Sequence, residues 1–124
     1  MTIEADLLTT LNNFAGLSSL VSSRNYAVNL PQNPTYPNTT YMRVSTAPGN
    51  TLGTRNTLTN IRVQIDIRDV TVIGAVTAGA QVKKAIEAAT LFDGIYLNEE
   101  MIPHEYNTET YRLSQDFSLW FHDQ

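Results

Sequence analysis

The stretch "NIRVQIDIRD", Asn60 to Asp69, places an aliphatic residue at every second position and a polar or charged one between. Successive strand side chains point to opposite faces, so Ile61, Val63, Ile65 and Ile67 line one side and Arg62, Gln64, Asp66 and Arg68 the other. A helical repeat of 3.6 residues would scatter the same residues around an axis. The stretch therefore reads as a strand with one face in the core. Its polar face meets either water or a second copy of the chain, and that choice governs the functional reading.

Around this strand the chain divides readily. Ile3, Leu7, Leu8, Leu11 and Phe14 recur at helical spacing, with Thr2 as N-cap, Glu4 and Asp6 in a first turn that favours negative charge, and Gly16 as the stop. After a short apolar piece, "LSSLV", the segment Ser22 to Thr40 is a long loop rich in Pro, Asn, Ser and Thr, broken by a short strand at "RNYAV". "TYMRVST", Thr40 to Thr46, is strand-like. The turn-rich "APGNTLGTRNT" after it forms the polar tip of a hairpin that returns through Asn60 to Asp69. A second helix is expected from Thr71 to Ala89, with Ala75, Gly79, Val82, Ile86 and Ala89 on one stripe. Gly74 and Gly79 each cost roughly 1 kcal/mol relative to Ala in a helix interior, so close contact with a sheet is the expected reason for them.

Gly94 reads as a turn. "GIYLNEEMIPHEYN" then reads as one or two short strands interrupted near Glu99 and Glu100, with Pro103 marking an edge position or a bulge. In the final strand, "YRLSQDFSLWFHD", Tyr111, Leu113, Phe117, Leu119 and Phe121 alternate with Arg112, Ser114, Asp116, Ser118 and His122. Gln115 on the apolar side and Trp120 on the polar side break the pattern. The expected fold is a single α+β domain over residues 1–124, a mostly antiparallel sheet with two helices on one face and a long polar hairpin loop. The other sheet face is left without helical cover, and a neighbouring subunit is a natural occupant for it.

Function classes narrow on composition. The chain has 124 residues, a formal charge of −4 and no cysteine. Disulfides, thiolate chemistry and cysteine zinc sites are therefore absent. Beyond Lys83 and Lys84 no basic cluster marks a nucleic-acid surface, and Tyr36, Tyr41, Tyr106, Tyr111 and Trp120 lack the basic neighbours that base stacking requires. No apolar run approaches the about 18 residues of a membrane span, and the N-terminus does not read as a signal peptide, so synthesis in the cytoplasm is expected. His104 and His122 have no nucleophile or carboxylate at telling spacing. Glu99 and Glu100, being adjacent, diverge on a strand. The glycines of the hairpin tip have neither the Lys nor the helix of a phosphate-binding loop. Neither a cofactor nor a metal is expected.

The ordered set of an amphipathic first helix, "SRNYAVNLPQ", "YMRVS", "RVQIDIRD" running into a helix and a closing "SQDFSLWF" resembles the tail-completion or tail-terminator proteins of long-tailed bacteriophages, from end to end. The resemblance implies a subunit of a hexameric ring in the head-proximal part of the virion tail. That ring caps the tail tube, ends its polymerisation and meets the head connector protein, while DNA passes through its lumen without specific binding. A subunit interface built on Arg62, Gln64, Asp66, Arg68, Arg112, Asp116 and Trp120 is the expectation, with Gly49, Asn50, Thr51, Leu52, Gly53 and Tyr36 docking onto the tail tube or connector. The alternatives are a head-tail connector protein of related fold, and a small α+β enzyme or ligand-binding domain with a pocket under the long loops.

Overall fold

The computed structural model describes residues 3–22, 24–29, 34–48, 58–105 and 110–122. Thr2 and the hairpin-tip residues Gly49 to Gly53 lie outside the described residues. Eight elements follow in order: α1 (Ile3–Asn13), α2 (Ala15–Val21), β1 (Asn25–Ala27), β2 (Asn38–Pro48), β3 (Leu58–Asp69), α3 (Val72–Glu87), β4 (Asp93–Glu105) and β5 (Thr110–His122). The α+β class and the mostly antiparallel sheet are as expected, but the helices among the described residues are α1, α2 and α3 rather than two. "LSSLV" is part of α2. The break between the first two helices comes at Phe14, whose extended backbone (φ −82°, ψ 109°) ends the helical run, and Gly16 lies inside α2 instead of stopping α1.

The sheet has the order β1-β2-β3-β5-β4. β1 and β2 run parallel, with Tyr26 opposite Thr40, and every other pair is antiparallel. β3 and β4 are therefore parallel to each other. They are joined through α3, and β5 fills the gap between them as in a split β-α-β unit. The opening stretch lies at the centre, paired along its whole length with β5 from Leu58↔His122 to Asp69↔Tyr111. β4 is one strand of 13 residues, not two short pieces. Glu99 and Glu100 are tolerated in it because β4 is an edge, and its register shifts at Tyr96/Asn98 and Ile102/Glu105 place Pro103 at the second irregularity. Gly94, expected as a turn, pairs with Leu119 in that strand.

All three helices cover one face. Ile61, Val63, Ile65 and Ile67 of β3 and Leu113, Phe117 and Leu119 of β5 are buried there with Ile3, Leu7, Leu11, Leu17 and Val21 from α1 and α2. α3 presents Ala75, Ala78, Gly79, Val82, Ala85 and Ile86. Its start is set by Thr71, whose Oγ1 accepts from the Gly74 amide at 3.0 Å. The small-residue stripe lets the helix lie close on the sheet: a Cβ at Gly79 would strike Leu113 Cδ2 and come within 3.0 Å of Gln115 Nε2. Gln115, the polar exception of the last strand, is buried and donates to Gly79 O at 3.0 Å and to Glu99 Oε1 at 3.3 Å. It ties helix to sheet where no apolar side chain would reach a backbone carbonyl.

Candidate functional site: the uncovered face of the sheet

The alternation that buries the aliphatics of β3 and β5 puts their polar partners on the opposite face. The ladder lines them up in cross-strand rows: Asn60 with Trp120, Arg62 with Ser118, Gln64 with Asp116, Asp66 with Ser114 and Arg68 with Arg112. The structure thus brings Arg62, Gln64, Asp66, Arg68, Arg112, Asp116 and Trp120 onto one surface. Tyr36 is half-buried two residues before the start of β2 and belongs to none of these rows.

The charges at the centre satisfy one another within the chain. Asp66 is nearly buried and accepts from Gln64 Nε2 at 3.0 Å and from Arg112 Nη1 at 3.4 Å, with Arg68 Nη2 at 3.8 Å. Arg68 also donates to Thr40 Oγ1 at 2.9 Å, which extends the network onto β2. At the more exposed end Arg62 Nη2 reaches Asp116 Oδ2 at 3.3 Å, with half of its own side chain in solvent. An exposed pair of this kind contributes roughly 0.2–1 kcal/mol, whereas the Asp66 cluster is desolvated enough that removing its carboxylate takes a nearly buried ionic partner from both Arg68 and Arg112.

The flanks of this charged centre are apolar, a feature that the reading of the sequence misses. On β2, Met42 and Val44 are 41% and 48% exposed; on β4, Ile95 and Leu97 are 52% and 47% exposed, beside Trp120 of β5 at 37%. Ile95 pairs with Ser118 and so sits diagonally next to Trp120. Three strand spacings separate the two margins, about 14 Å. The signal was present as the alternation Ile95-Tyr96-Leu97, but it becomes legible only once Tyr96 is seen to turn inward onto Phe117, edge to face at 5.8 Å. A second exposed apolar set, Val70, Val72, Ile73 and Val76, lies at the start of α3, where Ile73 is 80% exposed.

Two phenols carry the perturbed ionisations. Burial, with the Glu4 carboxylate second, pushes Tyr41 above the usual phenol value. Tyr96 is pushed in the same direction by burial, by its hydrogen bond to Glu99 Oε1 at 3.0 Å and by that carboxylate's charge. Each phenol has a single carboxylate beside it, and among the described residues no three His, Asp or Glu side chains converge as a metal site would need. A groove of about 320 Å³ opens between α1 and the end of α3, lined by Thr9, Thr10, Asn13, Phe14, Ala85, Ala88, Ala89, Thr90 and Leu91. It holds no ionisable side chain, so it offers shape without acid, base or charge for chemistry.

Comparison with known proteins adds to this geometry. The family model described as Tail completion protein gp17 matches residues 5–122. Among solved structures, a chain from the virion of a native gene transfer agent particle has the same fold, with a TM-score of 0.69 and 16% sequence identity over 97% of this chain and 94% of that one. No curated protein matches the sequence.

Proposed function

Since the chain belongs to the tail completion protein gp17 family and is thereby a structural protein of the bacteriophage tail, we propose that it acts as the ring that closes the tail. Copies assemble head to tail into a hexamer at the head-proximal end of the tail tube. The ring stops further polymerisation of the tube and offers its other side to the head connector, and DNA crosses its lumen without being held. The protein does this as a scaffold and carries out no catalysis.

The observation that supports the reading is the uncovered sheet face with two unlike apolar margins. A closed ring needs a heterologous contact, in which one patch of each copy meets a different patch of the next. Met42 and Val44 on one side, and Ile95, Leu97 and Trp120 on the other, are two such patches, separated by a polar centre. Trp120 supplies the kind of large, partly exposed anchor that dominates interface energetics. Arg62, Gln64, Asp66, Arg68, Arg112 and Asp116 belong to the same interface in this proposal. Arg62 keeps solvent-exposed surface for a partner, and the Asp66 cluster holds the strands that carry the patches. The acidic balance of the chain suits passage of a polyanion, because basic lumen residues would add affinity through counterion release.

The experiment is light scattering across a concentration series, with negative-stain imaging of the largest species, on the native chain and on Arg62→Ala/Asp66→Ala. Rings with a central hole that are lost or weakened in the double variant are expected. Undisturbed rings in that variant remove the polar face from the interface. A strict monomer that also fails to cap purified tail tubes removes the ring itself.

A further inference from the structure

The sheet ends in two edges that differ in kind. β1 pairs with β2 only over Thr39, Thr40 and Tyr41, so among the described residues Met42 to Pro48 has a strand on one side alone. At the other end, among the described residues no strand pairs with the outer edge of β4, which runs from Asp93 to Glu105 with register shifts at Tyr96/Asn98 and Ile102/Glu105. Such edges expose rows of backbone donors and acceptors that pair readily with another strand. The exposed aliphatics of the uncovered face lie on these same two edge strands: Met42 and Val44 on one, Ile95 and Leu97 on the other.

We infer that the ring proposed above closes by strand addition, the β4 edge of one copy pairing with the free half of β2 in the next. The inference rests on the ring reading and specifies its contact. Direction agrees: β2 is antiparallel to β3, β3 to β5 and β5 to β4, so β2 and β4 run opposite ways within one sheet. A neighbour generated by rotation about an axis along the strands keeps that sense and sets its β2 antiparallel to β4. The same rotation keeps helix-covered faces on one side and uncovered faces on the other. Met42 and Val44 of one copy then arrive on the face that carries Ile95, Leu97 and Trp120 of its neighbour, and each covers the other's exposed apolar surface.

Charge disfavours the symmetrical alternative. β4 against β4 would bring Asp93, Glu99 and Glu100 of two copies together, with no Lys or Arg in that strand to offset them. The free half of β2 contains no carboxylate, and its one charge, Arg43, is held by Glu4 through two hydrogen bonds of 2.8 Å. The β4 edge therefore meets no carboxylate on β2 and meets its own carboxylates on a second β4, where like charges oppose pairing.

The chain has no cysteine, which makes disulfide trapping unambiguous. The variants are Val44→Cys/Ile95→Cys and Val44→Cys/Leu97→Cys, with the three single variants as controls, all oxidised at concentrations where light scattering reports the oligomer. Neighbouring strands bring facing residues within the Cα separation that a disulfide requires. A ladder of covalent oligomers ending at the ring is expected from at least one double variant, with no cross-linked product from the singles. Hydrogen exchange on the unmodified chain supplies an independent reading: amides of 42–47 and 93–98 should exchange roughly tenfold or more slowly in the oligomer than in the dilute monomer. Single variants that cross-link to dimers would overturn the inference in favour of an isologous contact. Rings that neither cross-link nor protect these amides would overturn it while leaving the ring intact. Absence of any oligomer would remove both.

Discussion

Gly79→Ala tests whether the small-residue stripe of α3 is set by contact with the sheet. Two effects oppose each other. In an exposed helix the added methyl stabilises by roughly 1 kcal/mol through backbone entropy. Here the new Cβ would strike Leu113 Cδ2 and sit 3.0 Å from Gln115 Nε2, and both side chains are buried with little room to withdraw. Overfilling a closed core site costs about 1–3 kcal/mol. If Gln115 is displaced, its bond to Gly79 O is weakened, a further loss of about 1 kcal/mol. The sum is a destabilisation of about 2 kcal/mol, or roughly 6–10 °C in Tm for a domain of this size. Urea unfolding followed by far-ultraviolet circular dichroism, at protein concentrations below any oligomer, reads the difference as a lower midpoint at unchanged slope. Thr77→Ala, on the exposed side of the same helix, is the control and should gain a few tenths of a kcal/mol. A Gly79→Ala variant as stable as the parent or more so would show that helix and sheet are not in the close contact on which the core argument depends.

Asp66→Ala should cost about 2–3 kcal/mol in the same assay, because Arg68 and Arg112 lose a nearly buried partner, while Asp116→Ala should cost under about 1 kcal/mol; equal effects would contradict the burial difference. Trp120 is the only tryptophan, so its emission should shift to shorter wavelength as the protein assembles, and Trp120→Ala should weaken each subunit contact by roughly 2 kcal/mol, about thirtyfold in dissociation constant. An emission maximum independent of assembly would place Trp120 outside the interface. Tyr41 and Tyr96 have raised folded-state values, so their contribution to stability is complete below the usual phenol value of about 10 and is lost as pH rises from there through the folded values. Tyr41→Phe/Tyr96→Phe should flatten the alkaline limb of the stability profile and leave the neutral region's slope unchanged; an unaltered alkaline limb would refute the assignment.

Legibility followed the strength of periodicity. The alternation of β3 and the stripe of α3 could be read directly, because each repeats often enough to choose between a period of two and one of 3.6. Pro103 correctly marked β4 as an edge. α2 was missed because "AGLSSLV" is too short for a helical period to emerge, and its start depends on the extended backbone of Phe14 rather than on a recognisable cap. β4 looked broken because adjacent glutamates are unusual in central strands, yet an open edge leaves them hydrated. The polar face was legible residue by residue from β3 and β5. Its apolar margins were not, since exposure of Met42, Val44, Ile95 and Leu97 follows from the strand order, and no local pattern states that β5 enters between β3 and β4.

That insertion bears on how the protein is made. Synthesis delivers β3, α3 and β4 before β5, and at roughly 5–20 residues per second the earlier strands wait about a second or more without their central partner. Neither β3 nor β4 can complete its ladder on its own, so a chain that stops short of Thr110 lacks the element that joins the two halves of the sheet. Premature products are thereby kept from presenting a finished β4 edge alongside a finished β2 edge. In the ring proposed above, where one faulty subunit would spoil the closure, this order of synthesis would admit only chains in which β5 has been made.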